Sequence, residues 1–267
     1  MFGDYLARWA LTPDGDPSVT RNSRLLPVRW QGVPAMLKIA VESEEKVGNR
    51  LMACWNGDGA ARVHAYAGDA ILLERAESGT GLAEIARSGR DDEATRIICA
   101  VVAKLHAPRA KPLPDLVPLA MWFEALEPVA ATRGGILSVA AGTARDLLTQ
   151  PREVGVLHGD IHHDNILWFG KRGWLAIDPK GLVGERGFDY ANLFCNPDPR
   201  TATAPGCFAR RVEVVAEAAR LDRTRLLQWI LAWAGLSSAW LLDEGSSAET
   251  SLNVAELALA GLNHRRA

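Results

Sequence analysis

Cysteine is scarce in this sequence of 267 residues, and its four positions form no recognisable pattern. Cys54, Cys99, Cys195 and Cys207 are scattered, without a Cys-x-x-Cys pair and without histidines at zinc-ligand spacing. Disulfide frameworks and structural zinc sites both need such paired spacings, so the sequence argues against both. Unpaired cysteines are typical of a reducing compartment, and we expect a cytoplasmic protein.

Strong net charge and long apolar runs are also missing. The formal net charge is -2 and no basic run stands out, which argues against nucleic-acid binding and against binding to a membrane surface. The most apolar stretch, residues 226–242, is shorter than the ~20 residues of a membrane span and contains Gln228 and Gly235. We therefore predict a buried helix there. The first ten residues include Asp4 and Arg8 and do not resemble a signal peptide.

The sequence pattern predicts two parts of different character. In the first part, Ser43 is predicted to be the N-cap of a helix that ends near Asn56, and strands surround this helix. The predicted strands are 25–30, 34–40, 61–67 and 70–76, with a turn at Gln31-Gly32-Val33 between the first two.

The second part is predicted to be mainly helical. Helices are expected at 82–89, 91–106, 119–131 and 135–149, short strands at 165–169 and 173–178, and mostly helix after Phe188. Strands followed by helices indicate an α+β fold with two lobes, residues 1–76 and 77–267, joined near Glu74 to Gly81. We expect a monomer.

The densest polar cluster lies in the segment LHGDIHHDNILWFGKRGWLAIDPK, which begins at Leu157. A hairpin of the two short strands would bring Asn165 and Asp178 to the same end. An amide oxygen and a carboxylate suit Mg²⁺, and Asp160 is placed to accept a hydroxyl proton. Phosphoryl transfer to an alcohol needs these parts, because the protein mainly positions the reactants and neutralises charge.

The motif HGDIHHDN resembles the catalytic loop HxDxxxxN of the aminoglycoside phosphotransferases, whose protein-kinase counterpart is HRDxxxxN. IDPKG stands where protein kinases have DFG. The tail WILAWAGLSSAW and the segments PAMLK, WNGDGAARV and LLERA extend the likeness over nearly the whole chain. Within the family, the chain is most similar to the streptomycin 6-phosphotransferase and hydroxyurea phosphotransferase branch.

The resemblance implies a protein-kinase-like two-lobed fold, ATP and Mg²⁺ as cofactors, and a role for each matching residue. Asp160 would be the catalytic base, and Asn165 and Asp178 would hold Mg²⁺. Lys38 would contact the nucleotide phosphates, with Glu45 or the neighbouring Glu44 as its ion-pair partner.

The nucleotide contacts are expected in two further places. The linker Leu73 to Ala76, including Glu74, would meet the adenine through its backbone. Protein kinases cover the phosphates with a GxGxxG loop, but residues 11–27 contain only Gly15, so the loop Thr20 to Ser23 would take that role here. His158 and Asp189 are expected to support the catalytic loop.

A cationic aminocyclitol such as streptomycin needs carboxylates in its pocket, and Glu185 and Asp198 are the candidates that we favour. The expected reaction moves the γ-phosphate of ATP to a ring hydroxyl and inactivates the antibiotic. Two alternatives stay open at this point. A kinase of the same fold could act on another small hydroxyl compound, a metabolite or hydroxyurea, or a degenerate kinase could serve as a binding module.

Overall fold

The computed structural model describes residues 2–20, 22–109 and 112–263, and its first part is an antiparallel sheet with two helices. The strands lie in the order β1-β3-β4-β6-β5, with β2 paired to β3. The elements are α1 (Gly3–Arg8), β1 (Leu11–Pro13), β2 (Ser18–Val19), β3 (Ser23–Trp30), β4 (Val33–Ala40), α2 (Ser43–Trp55), β5 (Val63–Ala67) and β6 (Ala70–Glu74).

The β3–β4 hairpin is where the sequence predicts it, with a tighter turn. Trp30 pairs with Val33, so only Gln31 and Gly32 form the loop. Both have positive φ, 49° and 82°, as a two-residue type I′ turn requires. Val33 is therefore a strand residue, and the predicted three-residue turn is one residue too long.

Helix α2 begins and ends where the pattern predicts, but its start is different in detail. Ser43 is the first helical residue, and the cap position belongs to Glu42, whose side chain makes no capping hydrogen bond. Asn56 ends the helix in the left-handed conformation, with its N–H donating to the main-chain oxygen of Met52.

The remainder of the chain is dominated by helices, with short strands between them. The segment 75–81 connects β6 to the first of these helices. The helices are α3 (Leu82–Arg87), α4 (Asp91–Leu105), α5 (Leu119–Phe123), α6 (Leu126–Arg133), α7 (Gly135–Thr149), α8 (Pro199–Ala202), α9 (Cys207–Ala219), α10 (Arg223–Asp243) and α11 (Glu249–Asn263).

Five short strands lie between these helices and frame the polar cluster. β9 (Ile166–Trp168) and β10 (Trp174–Ala176) form an antiparallel hairpin. A three-stranded sheet combines β7 (Val117–Pro118), β8 (Val154–Leu157) and β11 (Leu182–Glu185), with β11 in the middle. The sequence pattern predicted the hairpin and missed this sheet. The stretch that is predicted to be mostly helix begins at Phe188, and two 3₁₀ helices, Arg186–Tyr190 and Asn192–Cys195, lie there instead of α-helix.

The hydrophobic core does not stop at the segment that connects the two parts. Leu51, Met52 and Trp55 of α2 belong to the same buried cluster as the helices of the second part. A smaller cluster, which includes Leu37 and Leu72, fills the opposite face of the sheet. Helix α2 therefore packs on the second part of the chain as well as on its own sheet.

The apolar stretch 226–242 lies within α10, and Trp229, Ile230 and Leu231 are buried in the core, as predicted. Across the residues that the structure describes, we find no helix with the length and hydropathy that crossing a membrane requires.

Candidate active site

The β9–β10 hairpin brings Asn165 and Asp178 to the same end, as the sequence predicts. Asn165 directly precedes β9, Ile166 pairs with Ala176 of β10, and the N–H of Ile177 donates to the main-chain oxygen of Asn165 at 2.9 Å. Asp178 has a positive φ of 61°, which turns the chain away from the hairpin. The two oxygen donors are thus fixed by one pair of strands.

The carboxylate of Asp160 is held from both sides by amide groups. The Asn165 side-chain N–H₂ donates to the main-chain oxygen of Asp160 at 2.9 Å and to its Oδ2 at 3.2 Å. The Asn192 side-chain N–H₂ donates to Oδ1 at 2.8 Å. Neutral amide donors orient this carboxylate, and His162 Nε2 lies 3.8 Å from its Oδ1, beyond hydrogen-bond distance. A carboxylate held by neutral donors suits a group that accepts a proton.

His158 joins the catalytic loop to the strand that leads into Asp178. Its Nδ1 accepts from the N–H of Asp160 at 3.2 Å, so the proton lies on Nε2, which donates to the main-chain oxygen of Ile177 at 2.8 Å. Burial lowers the pKa of His158, against the charge of Asp189, and the ring is therefore neutral. A neutral histidine with both ring nitrogens hydrogen-bonded has a structural role, as expected, and connects the catalytic loop to the chain before Asp178.

Asp189 supports the catalytic loop by accepting hydrogen bonds from its main chain. Its carboxylate accepts from the N–H groups of His158 and Gly159, at 2.9 and 2.7 Å, and contacts His106 Nε2 at 2.7 Å. Asp189 lies inside a 3₁₀ helix, and its two main-chain contacts give it the supporting role that is expected. His106 directly follows α4 and holds the other side of the Asp189 carboxylate.

Two lysines and two carboxylates form a ring across the cleft. Lys38 Nζ of β4 donates to Glu45 Oε2 and to Asp178 Oδ1. Lys180 Nζ lies 2.6 Å from Glu45 Oε1 and 3.6 Å from Asp178 Oδ2. Glu45 is buried and makes the ion pair, whereas Glu44 is exposed and does not. The alternative that the sequence left open is thus decided in favour of Glu45.

The ring sets the ionisation of its members. Burial acts to raise the pKa of Asp178, but the charges of Lys38 and Lys180 outweigh it and hold that pKa far below its ordinary value. Burial acts to lower the pKa of Lys180, but Asp178 and Glu45 raise it above its ordinary value. Asp178 and Lys180 are therefore charged at neutral pH.

A cleft of about 690 Å³ opens beside this ring. It is lined by the sequence-predicted residues Thr20, Ser23, Lys38, Glu45, Glu74, Ala76, Asn165 and Asp178, and by Lys180. Leu25, Met36, Leu73, Leu167, Phe169 and Ile177 supply apolar walls. Apolar walls together with charged groups suit a nucleotide, which combines a flat base with charged phosphates.

Two of the predicted nucleotide contacts are already engaged within the protein. Ser23 Oγ donates to Glu45 Oε2 at 3.0 Å, so this hydroxyl supports the ion pair of Glu45. The Glu74 carboxylate contacts Arg172 and the N–H of Arg62, and the Glu74 N–H donates to the main-chain oxygen of Arg62 at 2.9 Å. Arg21, within the predicted phosphate loop, lies outside the described residues.

The residues at the hairpin end fit Mg²⁺. The Asn165 N–H₂ is used by Asp160, so its Oδ1 is the atom that can face a metal, beside the Asp178 carboxylate. Mg²⁺ prefers a few protein oxygens together with phosphate and water oxygens. Within residues 2–20, 22–109 and 112–263, no group of three or more His, Cys, Asp or Glu residues is arranged to hold a metal ion by itself.

The structure overturns the expected substrate role of Glu185. Its side chain is only 4% exposed and lies at the end of β11. Arg225 forms an ion pair with it at 2.6 Å, and Trp229 Nε1 and the N–H of Arg152 each donate to it at 2.8 Å. Both carboxylate oxygens are therefore taken, and Glu185 is a buried structural anion.

Asp198 is also occupied by local partners. Its carboxylate accepts from the N–H of Thr201 at 3.0 Å and so caps α8, and it pairs with Arg87 at 2.8 Å. The Arg87 and Thr201 bonds hold the pKa of Asp198 below its ordinary value. Asp198 does not line the 690 Å³ cleft, and its observed role is to cap α8 and pair with Arg87, so its substrate contact stays a prediction.

Another acidic region lies beside the start of α2. A cavity of about 360 Å³ is lined by Glu42, Glu44 and Glu244, together with Asn22 and Ser43. Asn22 lines both this cavity and the 690 Å³ cleft, so the two adjoin. The cleft therefore has a negative rim, supplied by residues other than the two that the sequence favoured.

Sequence reasoning missed Lys180 and Asn192. Lys180 was visible as the third residue of DPKG, in the place of the glycine of DFG, but only the fold shows that it reaches Glu45. Asn192 lies in the segment GFDYANLF, and nothing in the sequence indicates that its amide meets Asp160, which is 32 positions away.

The comparisons with known proteins agree with this geometry. Residues 8–245 match the profile of a family described as aminoglycoside/hydroxyurea antibiotic resistance kinase. A streptomycin 3''-kinase from Klebsiella pneumoniae is 51% identical over 245 residues, which cover 90% of this chain and 92% of the relative. A streptomycin 6-kinase from Streptomyces griseus is 31% identical over 260 residues, covering 90% and 82%.

Among solved structures, a thermostable mutant of aminoglycoside phosphotransferase APH(4)-Ia, in a ternary complex with ADP and hygromycin B, superimposes with a TM-score of 0.68. The match covers 97% of this chain and 98% of that chain at 14% identity. This likeness confirms the predicted two-lobed, protein-kinase-like fold.

Proposed function

This chain belongs to the aminoglycoside/hydroxyurea antibiotic resistance kinases, and from that premise we propose that it transfers the γ-phosphoryl group of ATP to a hydroxyl of streptomycin. The observation that carries the proposal is the arrangement of Asp160, Asn165 and Asp178 around one end of the β9–β10 hairpin, beside the Lys38–Glu45 ion pair. The 51% identity to a streptomycin 3''-kinase favours the 3''-hydroxyl over the 6-hydroxyl.

Each residue of the site has a separate role in the transfer. Asp160 accepts the proton of the attacking hydroxyl, whose oxygen forms the new bond to phosphorus as the bond to the ADP oxygen breaks. Asn165 and Asn192 keep the Asp160 carboxylate oriented for that transfer. Lys38 neutralises phosphate charge on the nucleotide side. Asn165 and Asp178 would hold Mg²⁺, which supplies charge to the phosphate oxygens when bound.

The charge of the cleft supports a cationic acceptor. Streptomycin carries guanidinium groups, and carboxylates offset the cost of removing such groups from water. The acidic rim formed by Glu42, Glu44 and Glu244 supplies negative charge near the catalytic groups. A neutral acceptor such as hydroxyurea gains nothing from that charge.

The test is ADP release with MgATP and streptomycin, hydroxyurea or a neutral polyol as acceptor. We expect release of one ADP per streptomycin consumed, and little with the other two. Mass spectrometry and phosphorus NMR of the product identify the modified hydroxyl. Turnover with hydroxyurea or the polyol but not with streptomycin would contradict the proposed substrate and leave the kinase chemistry intact.

Variants of one loop provide the control. Asp160→Asn removes the proposed base, whereas Asp164→Asn removes an exposed carboxylate four residues away. We expect streptomycin-dependent turnover to fall by about 10³-fold in the first, within the range of general-base contributions, and to stay unchanged in the second.

A further inference from the structure

We propose that Lys180 is a further catalytic residue of this chain, whose ammonium group binds the γ-phosphoryl group that is transferred. This inference rests on the proposed function, since it assigns a role within the same phosphoryl transfer. It adds a second lysine, opposite Lys38, to the groups that surround the reacting phosphate.

The position of the ammonium group is the first argument. Lys180 lines the same cleft as Lys38 and Asp178, and its side chain is only 11% exposed. Its Nζ contacts Glu45 Oε1 at 2.6 Å, but the 3.6 Å to Asp178 Oδ2 exceeds an ordinary hydrogen bond. An ammonium group has three hydrogens, so hydrogens beyond the one given to Glu45 can be donated to a phosphate oxygen.

The attachment of Lys180 to the catalytic loop is the second argument. Its N–H donates to the main-chain oxygen of His158 at 2.7 Å, two residues before Asp160. Lys38 reaches the ring from strand β4, whereas Lys180 reaches it from the side of the proposed base, where the transferred group must lie.

Charge balance is the third argument. Glu45, Asp160 and Asp178 are three carboxylates, and Lys38 alone would leave two net negative charges where an anionic triphosphate has to bind. The sequence offers no glycine-rich loop to supply backbone donors, since residues 11–27 contain only Gly15. Lys180 neutralises one of those two negative charges. Its ammonium N–H groups are hydrogen-bond donors that are held in place before the nucleotide binds.

The packing of α2 shows that this contact is built into the fold. An added Cβ on Gly48 would lie 1.9 Å from the main-chain oxygen of Pro179, and one on Gly181 would lie 2.4 Å from Val47 Cγ1. Helix α2 and the DPKG segment therefore touch backbone to backbone. This close approach is what lets one carboxylate, Glu45, bridge Lys38 and Lys180.

Titration calorimetry of the full chain with Mg²⁺ and either AMP-PNP or ADP tests the proposal. For Lys180→Met we expect AMP-PNP to bind about tenfold more weakly, because a charge-assisted hydrogen bond to the γ-phosphate is lost, while ADP affinity changes less than about twofold. Lys180→Gln, which can still bond Glu45, should show the same selective loss. Lys171→Met, an exposed lysine in the β9–β10 turn, should change neither affinity.

The same variants are then compared in turnover. We expect kcat of Lys180→Met to fall by about 100-fold, and Lys180→Arg to recover part of it. If Lys180 only neutralises Glu45, its removal will weaken AMP-PNP and ADP alike, or neither, and the proposal is overturned. The calorimetry needs no acceptor, so a chain inactive on streptomycin would overturn the proposed substrate without touching this test.

Discussion

Glu45 and Glu185 are both buried carboxylates, but their partners give them different roles. Glu45 contacts Lys38, Lys180 and Ser23 at the edge of the cleft. Glu185 has Arg225, Trp229 and Arg152 as partners, away from the cleft. The sequence shows two acidic residues and cannot show which cations meet them, because Arg225 lies 40 positions beyond Glu185. Without that information, the sequence alone predicts a substrate contact for Glu185.

The structural role of Glu185 predicts a pH-dependent loss of stability in Glu185→Gln. Burial acts to raise the pKa of Glu185, but Arg225 and Trp229 outweigh it and lower that pKa. The ionised form therefore stabilises the fold fully above the unfolded pKa, near 4.5, and this contribution disappears as the pH falls through the lower folded pKa. We expect Glu185→Gln to cost roughly 3 kcal/mol at pH 7, because Arg225 loses its partner.

Urea unfolding of both proteins at pH 7 and at several values below pH 4.5 measures this difference. The difference in the free energy of unfolding between wild type and Glu185→Gln should become smaller as the pH falls. Kinetics at a temperature where both are folded should give the same KM for streptomycin. A large increase in that KM, with unchanged stability, would return Glu185 to the substrate site.

At the scale of elements, the sequence predicts those that carry a clear pattern. The β3–β4 hairpin and α2 follow from alternation, a turn and helix-stop residues, and they occur almost as predicted. The strands β7, β8 and β11 are two to four residues long, too short for an alternating pattern to be recognised. The stretch 186–195 forms 3₁₀ turns instead of a regular α-helix. Asp189 and Asn192 in this stretch form hydrogen bonds with the catalytic loop.

The contact between α2 and the DPKG segment predicts the effect of Gly48→Ala. The new methyl group has no room beside Pro179, so helix and segment must separate and Glu45 must leave at least one lysine. We expect a loss of about 1–3 kcal/mol of stability, typical of overpacking, together with at least a tenfold fall in kcat.

Gly142→Ala is the matched control. Gly142 lies within α7, and a Cβ there meets nothing within 4 Å, so the exchange should stabilise the protein by about 0.5–1 kcal/mol without changing kcat. Thermal unfolding measures the stability of both variants, and steady-state kinetics measure their kcat. Wild-type kcat and stability in Gly48→Ala would mean that this close packing is not needed for the site.

At the scale of the whole molecule, the two parts share one core. Trp55 of α2 and Leu105 of α4 belong to the same buried cluster, and Asp178 lies where the parts meet. The order of strands before helices and the catalytic motif predict the fold correctly, and the motif predicts Asp160, Asn165 and Asp178 as site residues, which the structure brings to one end of the β9–β10 hairpin. The substrate contacts could not be predicted, because they depend on which surface carboxylates the fold brings to the cleft.

The central claim is that Asp160 directs phosphoryl transfer from ATP to streptomycin, and the most direct measurement is a single turnover with γ-labelled ATP. In the wild type, we expect the label to move to streptomycin. In Asp160→Asn, we expect the rate of label transfer to fall about 10³-fold, while calorimetry shows unchanged ATP binding. Label that remains on ATP or appears only as free phosphate in the wild type would contradict it, as would an Asp160→Asn variant that transfers label at the wild-type rate.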